Sequence, residues 1–577
     1  MSCLLQKTLH IKMKIILLLF IFLPVLLSAQ DLNYTNPILP GSYPDPSICR
    51  VGNDFYIVNS SFEYYPGLPI HHSNDLVNWE LVGYGLHREE QCTGKMNLVD
   101  VQSRGGIHAP TIRYHEGTFY IITTNVYSPI DKTQPTKFIN FIITAQNVKG
   151  PWSDPHIIEG APGIDPDIFF DDNGRVYYIG TQDVTQPNDN GIGEIWVQQL
   201  DIKEWELIGE RKAIWQGACG GCCVEGPHMY KKNETYYLMI AEGGTSLNHA
   251  VMIAASDKIS GPFESDPRNP ILTSRHLSQK NWVNSTGHAD LVELSDGRWY
   301  MVALGIRNDE EGTSNMGRET HLLPVVWEPA TVRWKEVNKD NWQPVEYLYP
   351  VVAPETGKVE RYTKLPFAGK AQKQNDALVD NFDSTELDLE WNFRRVPMAN
   401  TYSLTAKKGY LRLYLKPDTI IERGRCSIMG LRQKESDFEY SASMNFLPQK
   451  NNAEAGLSIF QQDDSYINFT IIKEDGVNTL KIVVAEQNKE PLLLKKEAII
   501  NFKGDIVFKV KSMVNKYTYL YSVDQGRTFT SFAETRADLI ISKGYTGAYL
   551  GIYATGNSLK IEEYADFDWI LYKAYQR

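Results

Sequence analysis

The sequence predicts an all-β protein in which a five-bladed β-propeller is followed by a concanavalin-like β-sandwich. Two features support the prediction: a hairpin-like frame that recurs five times, and a later region of apolar–polar alternation that lacks this frame. A third is that no stretch shows a convincing long amphipathic helix. Hairpins repeated at nearly constant spacing are typical of the four-stranded blades of a propeller.

The first copy of the frame is Ser42–Val58, SYPDPSICRVGNDFYIV. Asp45 lies between two prolines, which keep the backbone extended. Two apolar runs then flank a Gly-Asn-Asp turn, a pattern that predicts a β-hairpin. The four later copies open at residues spaced 63, 57, 60 and 63 positions apart, namely His108, Asp165, Glu225 and His288.

The chain divides into four segments on this pattern. Residues 1–29 are predicted to be a signal peptide, 30–350 the propeller, 351–376 a linker rich in Pro, Gly and charge, and 377–577 the sandwich. The NPIL of Asn33–Gly41 returns at Asn269–Leu272, so we expect the N-terminal strand to complete the last blade. Trp-bearing segments between the copies, such as those of Trp152 and Trp334, are predicted to pack between neighbouring blades.

Composition narrows the class of partner. The 577-residue chain is 42% hydrophobic and 22% charged, as in ordinary globular proteins, and carries a formal charge of −12. This acidity argues against binding to nucleic acid or to an anionic membrane surface. The 32 Tyr and 12 Trp residues favour strands and surfaces that stack on flat ligands.

The N-terminus has the layout of a secretory signal. Lys7, Lys12 and Lys14 precede the apolar run Ile15–Leu27, and Ala29 offers a small residue for cleavage. A periplasmic or secreted location is predicted, with an uncleaved anchor as the alternative. No later apolar stretch is long enough to cross a bilayer, so no span is expected after cleavage.

Three of the seven cysteines, Cys219, Cys222 and Cys223, cluster directly before Glu225. C-x-x-C occurs in redox and zinc sites, but no second pair stands at metal-binding spacing. We therefore favour small side chains in a tight loop, with a local disulfide left open.

If the five frames are equivalent, their opening residues surround one pocket at the end of the propeller axis. Three of them are the carboxylates Asp45, Asp165 and Glu225. Crowded like charges cost free energy, so their convergence indicates function rather than turn capping. Carboxylates without a phosphate-binding loop suit glycosidic bond cleavage, which needs one protonated and one ionised acid. Calcium binding is the competing use of clustered acids.

Several long motifs resemble one family. They are YPDPS at Asp45, SSFEYYPGLPIHHSNDLVNW from Ser60, GIDPDIFFDDNGRVYYI around Asp165, EGPHMYKKNETYYLMIAEGGTSLNHA from Glu225, and GRETHLLPVVW at Arg318. They resemble glycoside hydrolase family 43, in the branch of exo-acting β-xylosidases and α-L-arabinofuranosidases with a C-terminal sandwich. The resemblance covers residues 33–350 strongly and the remainder more weakly.

The resemblance implies a role for each acid. Asp45 would be the general base that activates water, and Glu225 the general acid that protonates the leaving oxygen. Asp165 would raise the pKa of Glu225 and orient it, with Asp167 as the second candidate for that role. The family inverts configuration, which predicts base and acid carboxyl groups about 6.5–9.5 Å apart.

Substrate-binding roles follow from the same resemblance. Arg318 would bind hydroxyls of the terminal sugar, and Phe62 and His249 would line the pocket, with ordinary packing or a surface ion pair as the alternative for each. His108 stands where related xylosidases carry Trp. No cofactor is required, and a structural calcium ion near His288 is the one metal suggested. The sandwich segment Ile421–Lys434 resembles the region that helps to close the pocket.

The predicted function is an inverting exo-acting glycoside hydrolase that releases terminal β-D-xylose or α-L-arabinofuranose from plant hemicellulose or pectin oligosaccharides. Two alternatives remain: an endo-arabinanase on the same fold, and a non-catalytic carbohydrate-binding propeller. The sequence does not choose between the two pentoses, and it leaves the oligomeric state unknown.

Overall fold

The computed structural model describes residues 33–131, 133–183, 193–308, 314–339, 341–373, 377–500, 502–541 and 546–575. The regular secondary structure of these residues is almost entirely β-strand, and their helices are the 3₁₀ turns Glu89–Gln91, Gly94–Asn97 and Ala537–Ile540. The predicted signal peptide, residues 1–29, lies outside the described residues.

The first domain contains one antiparallel sheet for each copy of the frame. After β1 (Asn33–Thr35), blade I consists of β2 (Ser47–Val51), β3 (Asp54–Val58), β5 (Gly67–Ser73) and β6 (Glu80–Leu86), with β4 (Tyr64–Tyr65) in a connection. Blade II consists of β7 (Gly106–His115), β8 (Thr118–Tyr127), β9 (Lys137–Ala145) and β10 (His156–Ile157). Blade III consists of β11 (Asp167–Phe170), β12 (Val176–Gln182), β13 (Glu194–Asp201) and β14 (Glu206–Trp215).

The remaining two blades follow the same order. Blade IV consists of β15 (Glu225–Lys232), β16 (Thr235–Glu242), β17 (Ala250–Ser256) and β18 (Glu264–Ser265), with β19 (Leu272–Thr273) also paired to β17. Blade V consists of β20 (Val283–Glu293), β21 (Trp299–Arg307), β22 (Arg318–Asn338) and β23 (Asn341–Val352). The five innermost strands, β2, β7, β11, β15 and β20, contact one another in turn, and β20 contacts β2. This ring of contacts confirms the five-bladed propeller.

A buried polar cluster ties the blades together at the axis. Arg113 of blade II pairs with Asp167 of blade III at 3.0 Å and with Asp290 of blade V at 2.9 Å. Its guanidinium also lies 3.0 Å from Nδ1 of His228 in blade IV, and Ser47 of blade I donates to Asp290 at 2.7 Å. We call these five residues the axial cluster. Since a buried charge needs a partner, the cluster fixes how the innermost strands meet.

The prediction that the N-terminal strand completes blade V is wrong, because β20–β23 already supply the four strands of that blade and the N-terminal segment only attaches to β22. The Asn36 side chain donates to the carbonyl of Leu322 and accepts from its amide, at 3.0 and 2.9 Å. Asn269 bonds both backbone groups of Ile253 in the same way, at 2.8 and 2.9 Å. The two segments are therefore structurally equivalent. β1 itself pairs with β24 (Tyr362–Lys364), so the predicted linker contains a strand.

The prediction that the Trp-bearing segments pack between blades is confirmed for one residue and wrong for another. Trp152 is buried in a core shared by blades I and II, as predicted. Trp334 is 59% exposed, so the prediction of packing between blades is wrong for this residue. The physical reason is that β22 and β23 extend as a long hairpin whose outer part is mostly exposed.

The second domain is a sandwich of two antiparallel sheets. One sheet contains β25 (Leu378–Asp380), β27 (Tyr402–Ser403), β28 (Leu411–Tyr414), β30 (Asp437–Asn445), β35 (Asp505–Met513), β36 (Lys516–Ser522), β37 (Thr530–Arg536) and β39 (Tyr564–Tyr575). The other contains β26 (Asn392–Arg394), β29 (Ser427–Arg432), β31 (Glu454–Gln462), β32 (Ser465–Glu474), β33 (Val477–Ala485), β34 (Leu492–Ala498) and β38 (Tyr549–Thr555). Alternating apolar side chains from both sheets form one core, in which Phe469 contacts Phe508 at a ring-centroid distance of 4.8 Å.

The propeller also contributes a strand to the sandwich. β4 pairs with β26 at the edge of the second sheet, so that Tyr65 lies opposite Phe393. Beside this pairing, the buried Arg394 contacts Glu63 of the propeller at 3.3 Å and Asp463 of the sandwich at 2.7 Å. The two domains thus share both backbone pairing and a buried ion pair immediately after Phe62.

Candidate active site

The opening residues meet at one end of the propeller but do not all occupy one backbone position. Each innermost strand carries a residue with positive φ near its start. These are Asp45 (50°), Ala109 (33°), Asp165 (54°), Gly226 (58°) and His288 (37°). The prediction of five equivalent openers is therefore wrong for His108 and Glu225, which precede the left-handed residue by one. The reason is a register shift just after each of them, in the pairings β7–β8 and β15–β16.

Asp45 is a buried carboxylate held by a cationic partner. Arg318 bonds both of its oxygens, with Nη1 2.8 Å from Oδ1 and Nη2 3.3 Å from Oδ2. The hydroxyl of Ser60 donates to Oδ2 at 2.6 Å and accepts from the backbone amide of Ala109 at 2.6 Å. Burial alone would raise the pKa of Asp45, but Arg318, then His288 and Ser60, outweigh it and hold the pKa below its usual range. Asp45 is therefore ionised at neutral pH.

Glu225 and Asp165 form a pair of interacting carboxyl groups whose pKa values are both raised, whereas that of Asp45 is lowered. Burial, and then the negative charge of Asp45, raise the pKa of Glu225 to about 7, against the opposing charge of Arg318. Burial, then the charges of Glu225 and Asp45, raise the pKa of Asp165 well above its usual range, although the Gly226 amide opposes this. The pair accordingly retains a proton near neutral pH while Asp45 does not.

Asp167 lies in a different environment from Asp165. Its carboxylate is part of the axial cluster, where it pairs with Arg113 and accepts from the Met229 amide at 2.8 Å. Burial raises the pKa of Asp167 to about 6, with Arg113 opposing. The charge of Glu225 helps to raise the pKa of Asp165 but is not among the causes of the raised pKa of Asp167, so the electrostatics favour Asp165 for the tuning role.

Phe62, His108 and Arg318 are brought together beside Asp45. The rings of Phe62 and His108 meet edge-to-face with centroids 4.9 Å apart, and the Arg318 guanidinium lies 5.3 Å from the Phe62 centroid. Nε2 of His108 donates to the carbonyl of Arg104 at 2.9 Å. Burial lowers the pKa of His108 to about 4, so its ring is neutral at pH 7. These side chains form an aromatic and cationic wall.

His249 is buried, and one of its ring nitrogens is unpaired among the described residues. Its Nδ1 donates to the carbonyl of Ser285 at 3.1 Å, and its ring packs over Gly287, where a Cβ would lie only 2.4 Å from the ring. Burial lowers the pKa of His249 to about 3. Its buried Nε2 has no hydrogen-bond partner among the described residues. A neutral imidazole with this tautomer presents a lone pair that can accept from a hydroxyl.

The surroundings of His288 do not form a protein cage for calcium. Its Nδ1 lies 4.0 Å from Asp45, whose carboxylate is already paired with Arg318. The next carboxylate along β20, Asp290, is paired with Arg113. Among the described residues no group of three or more His, Cys, Asp and Glu side chains is arranged to hold a metal ion, whereas calcium takes six to eight oxygens. Calcium near His288 stays a prediction from the resemblance.

The cysteine loop before Glu225 folds around a carboxylate. Glu242 accepts from the backbone amides of Ala218, Cys219 and Gly221, at 3.0, 3.3 and 2.5 Å. Cys222 and Cys223 are adjacent in space, with sulfurs 3.2 Å apart, and every cysteine among the described residues is a free thiol. The tight loop is as predicted, and the disulfide that the sequence left open is not formed.

The sandwich reaches the loop that carries Asp45. In the predicted segment Ile421–Lys434, Nε of Arg432 donates to the carbonyl of Ser42 at 3.0 Å. A Cβ on Gly41 would lie 2.9 Å from the carbonyl of Gln433, so the two backbones are in close contact there. The segment thus packs against the start of the first frame.

Sequence reasoning missed two polar groups of the site. Ser60 lies in a motif singled out above but received no role, although the hairpin register offers a signal. Ser47 pairs with Val58, so continuing the same register places Ser60 opposite Asp45. Thr245 accepts from Nη1 of Arg318 at 3.2 Å, and no feature of the sequence indicates that contact.

An ionised carboxylate and a proton-retaining carboxyl pair, buried at one end of a propeller, define a glycoside hydrolase type of site. The family description "Glycosyl hydrolases family 43" matches residues 34–331, and "Beta xylosidase C-terminal Concanavalin A-like domain" matches residues 379–573. The chain belongs to glycosyl hydrolase family 43.

Curated relatives match over nearly the whole chain. A xylosidase/arabinosidase of Butyrivibrio fibrisolvens is 38% identical over 92% of this chain and 98% of its own length. A non-reducing end α-L-arabinofuranosidase of Bacteroides ovatus is 35% identical over 94% of this chain and 95% of its own. The crystal structure of a xylan β-1,4-xylosidase from Bacillus halodurans superposes with a TM-score of 0.83 at 29% identity, covering 94% and 100% of the two chains.

In the described part of the chain, no helix has the length and apolarity needed to cross a membrane.

Proposed function

We propose that the protein is an inverting, exo-acting glycoside hydrolase that releases terminal β-D-xylose or α-L-arabinofuranose from plant hemicellulose or pectin oligosaccharides. The observation that carries the proposal is that the pKa values of neighbouring buried acids are shifted in opposite directions. The pKa of Asp45 is lowered, while burial and like charges raise those of Glu225 and Asp165. A family 43 chain whose relatives are named for both pentose activities supports this substrate class.

Asp45 is proposed as the general base. It is ionised, and Arg318 and Ser60 hold both of its oxygens in place. It accepts a proton from a water molecule as that water attacks the anomeric carbon from the face opposite the leaving group. Attack by water rather than by the carboxylate itself is what inverts the configuration, and it requires the predicted separation of about 6.5–9.5 Å from the acid.

Glu225 is proposed as the general acid. Its raised pKa keeps it protonated near pH 7, so that its proton passes to the glycosidic oxygen as the bond to the anomeric carbon breaks. Asp165 and Glu225 are not both ionised near neutral pH, because the charge of Glu225 raises the pKa of Asp165. When the one proton of the pair is on Glu225, the charge on Asp165 favours its staying there until the transition state forms. One proton leaves the water for Asp45 and one leaves Glu225 for the aglycone, so the cycle closes by proton exchange with solvent.

The remaining side chains are proposed to bind the terminal sugar. The fork of Arg318 donates to sugar hydroxyls, a geometry that Lys does not reproduce. Nε2 of His249 accepts from a hydroxyl, which satisfies its otherwise unpaired lone pair. Phe62 and His108 form the apolar wall.

The contacts of the sandwich support exo action over an endo-arabinanase. Arg432 and Gln433 pack on the loop preceding Asp45, and β4 pairs with the sandwich just beyond Phe62. A second domain packed on both sides of these loops favours a short pocket over an open cleft. A non-catalytic carbohydrate-binding propeller needs no coupled acid pair, and burying one without use costs free energy.

The test is hydrolysis of p-nitrophenyl β-D-xyloside and p-nitrophenyl α-L-arabinofuranoside by the wild type and by Glu225→Gln. The wild type should cleave at least one of them, and product analysis on xylan or arabinan oligosaccharides should show monosaccharide from the first time point. Oligosaccharide products at that stage would indicate endo action. Unchanged turnover in Glu225→Gln would overturn the assignment of the acid.

We also propose that the protein is exported and is periplasmic or secreted. The support is the sequence alone: three lysines, the apolar run Ile15–Leu27 and a small residue at Ala29. N-terminal sequencing of the protein from its native host should begin at Gln30. A chain that starts at Met1 in the membrane fraction would indicate the uncleaved anchor instead.

A further inference from the structure

Two neighbouring thiols stand out among the cysteines that the structure describes. Cys222 and Cys223 are exposed, and their sulfurs lie 3.2 Å apart. Cys49, Cys92 and Cys426 are buried, and burial raises the pKa of each of these thiols to about 12. Buried, protonated thiols are inert, so reagents that enter from solvent meet the exposed thiols Cys219, Cys222 and Cys223. Cys222 and Cys223 differ from Cys219 in that their sulfurs lie next to each other.

The pair lies against the loop that holds the arginine of the active site. A Cβ on Gly244 would be 3.7 Å from the sulfur of Cys222 and 3.6 Å from that of Cys223. The next residue, Thr245, accepts from Arg318, which in turn holds Asp45. The amide of Gly243 donates to the carbonyl of Cys222 at 2.8 Å, so the two loops are also joined through the backbone.

The pair is also close to the acid along the chain. Val224 alone separates Cys223 from Glu225, and the charge of Glu225 is one cause of the raised pKa of Cys223. The preceding residues are held by the three amide contacts to Glu242 described above. Because that side of the loop is fixed, a displacement of Cys222 and Cys223 should move Glu225 and the loop of Gly244.

We propose that Cys222 and Cys223 form a dithiol modification site that reacts with disulfide oxidants, and that its oxidation lowers the activity of the adjoining site. The effect on activity rests on the proposed function. The class of reagent is a small-molecule or protein disulfide, which is reduced to two thiols as the pair is oxidised.

The chemistry balances in two steps. The thiol of Cys223 donates to the sulfur of Cys222, so Cys222 is the thiol placed to attack, and its proton passes to solvent in that step. Burial, the contact with Cys222 and the charge of Glu225 raise the pKa of Cys223 to about 12, so Cys222 attacks first. The Cys222 thiolate forms a mixed disulfide and expels one thiolate of the oxidant. Cys223 then loses its proton to solvent and attacks the Cys222 sulfur, expelling the second.

The size of the movement sets the expected effect. The sulfurs must approach from 3.2 Å to a bond length of about 2.05 Å, a shift of roughly 1 Å. A misplacement of about 1 Å in a catalytic constellation costs on the order of 10²-fold in rate. Allowing for relaxation on the exposed side, we expect kcat/KM to fall at least about tenfold. Adjacent cysteines have Cα atoms only about 3.8 Å apart, shorter than a relaxed disulfide prefers, so the bond should be readily reduced.

The experiment compares the full-length wild type with Cys222→Ser, Cys223→Ser and the matched control Cys219→Ser, which removes the third exposed thiol of the same loop. Each protein is incubated with oxidised glutathione, trapped with iodoacetamide, reduced and labelled with N-ethylmaleimide. Peptide mass spectrometry then locates any cysteines that had been oxidised. Activity on the aryl pentosides is measured before oxidation, after oxidation and after dithiothreitol.

The expected result is N-ethylmaleimide on both Cys222 and Cys223, a reversible loss of at least about tenfold in kcat/KM, and the same behaviour in Cys219→Ser. Cys222→Ser and Cys223→Ser should keep their activity under oxidant. The proposal is overturned if both thiols remain open to iodoacetamide, if only glutathione adducts or cross-linked dimers form, or if the oxidised pair leaves kcat/KM unchanged. If the reduced wild type cleaves neither substrate, the proposed function fails, while the labelling pattern still decides whether the dithiol reacts.

Discussion

Arg318→Met probes the electrostatic control of Asp45. In the structure the guanidinium and the carboxylate share two contacts of 2.8 and 3.3 Å in a buried site. With the charges about 4 Å apart and an effective dielectric constant of about 20, their attraction is about 4 kcal/mol. At 1.36 kcal/mol per pKa unit this corresponds to at most about 3 units. His288 and Ser60 remain in the variant, so we expect the pKa of Asp45 to rise when Arg318 is removed, by less than this upper limit.

The assay is the pH dependence of kcat/KM with an aryl pentoside. The acidic limb reports the base of the free enzyme, since activity is lost when Asp45 takes up a proton. In the wild type the limb should lie below the usual pH range of a carboxyl group, and in Arg318→Met it should move up by at most about 3 pH units. The variant also loses sugar contacts, but these lower the whole curve without moving its limb.

Arg318→Lys is the matched control, because it retains a positive charge while losing the fork. Its limb should lie between those of the wild type and the methionine variant, with a raised KM. An Arg318→Met profile that is lower in height but unchanged in its acidic limb would show that Arg318 does not set the charge of Asp45.

Three further predictions follow from the same geometry. Glu225→Gln should lower kcat/KM by about 10²–10⁴-fold on oligosaccharides and by less on aryl glycosides with acidic leaving groups, which need little protonation; equal losses on both, measured by initial rates, would contradict its role as acid. The alkaline limb should lie near pH 7, because activity is lost as Glu225 releases its proton above its pKa of about 7. Asp165→Asn should shift that limb to lower pH, because it removes the carboxyl group that shares a proton with Glu225. An unmoved limb in a pH titration of kcat/KM would argue against Asp165 as the tuning group. Arg113→Met leaves Asp167 and Asp290 buried without their partner and should destabilise the fold by about 3–5 kcal/mol, seen as a lower urea midpoint; a midpoint equal to that of the wild type would show that the axial cluster does not hold the blades.

The blade scaffold could be predicted because its determinants are local. Each hairpin is specified by two apolar runs and a turn within about fifteen residues, as in Ser42–Val58, and five copies at similar spacing fix the number of blades. The return of NPIL at Asn269–Leu272 identified two structurally equivalent segments, which attach to β22 and β17. In the same way Asp45, Asp165 and Glu225 could be selected as candidate site residues from their place in the repeat.

What could not be predicted depends on contacts between distant segments. The register shifts after His108 and Glu225 leave no mark in the repeated sequence pattern. The alignment of the repeats therefore assigned these two residues to the backbone position that the next residue occupies. Arg113 lies inside an ordinary strand, and only the closed ring brings it to carboxylates 54 and 177 residues away. The exposed position of Trp334 follows from the length of a hairpin whose end the aromatic pattern does not mark.

The pairing of β4 with the sandwich is of the same kind. Tyr64–Tyr65 is two residues long and carries no strand signal of its own, yet it forms the edge of a sheet built from residues beyond 390. The contact of Arg432 with Ser42 likewise joins residues 390 positions apart. Such contacts decide how the pocket is bounded, and they become visible only when both domains are assembled.

The measurement that tests the central claim most directly is the anomeric form of the first sugar released. Proton NMR during hydrolysis of an aryl β-D-xyloside by the wild type should show α-D-xylose before mutarotation, as expected when Asp45 activates water and Glu225 protonates the leaving oxygen. With an α-L-arabinofuranoside the first product should be the β anomer. Release of a sugar with the anomeric configuration of the substrate would mean a covalent intermediate on the enzyme, and would contradict the assignment of Asp45 as a general base.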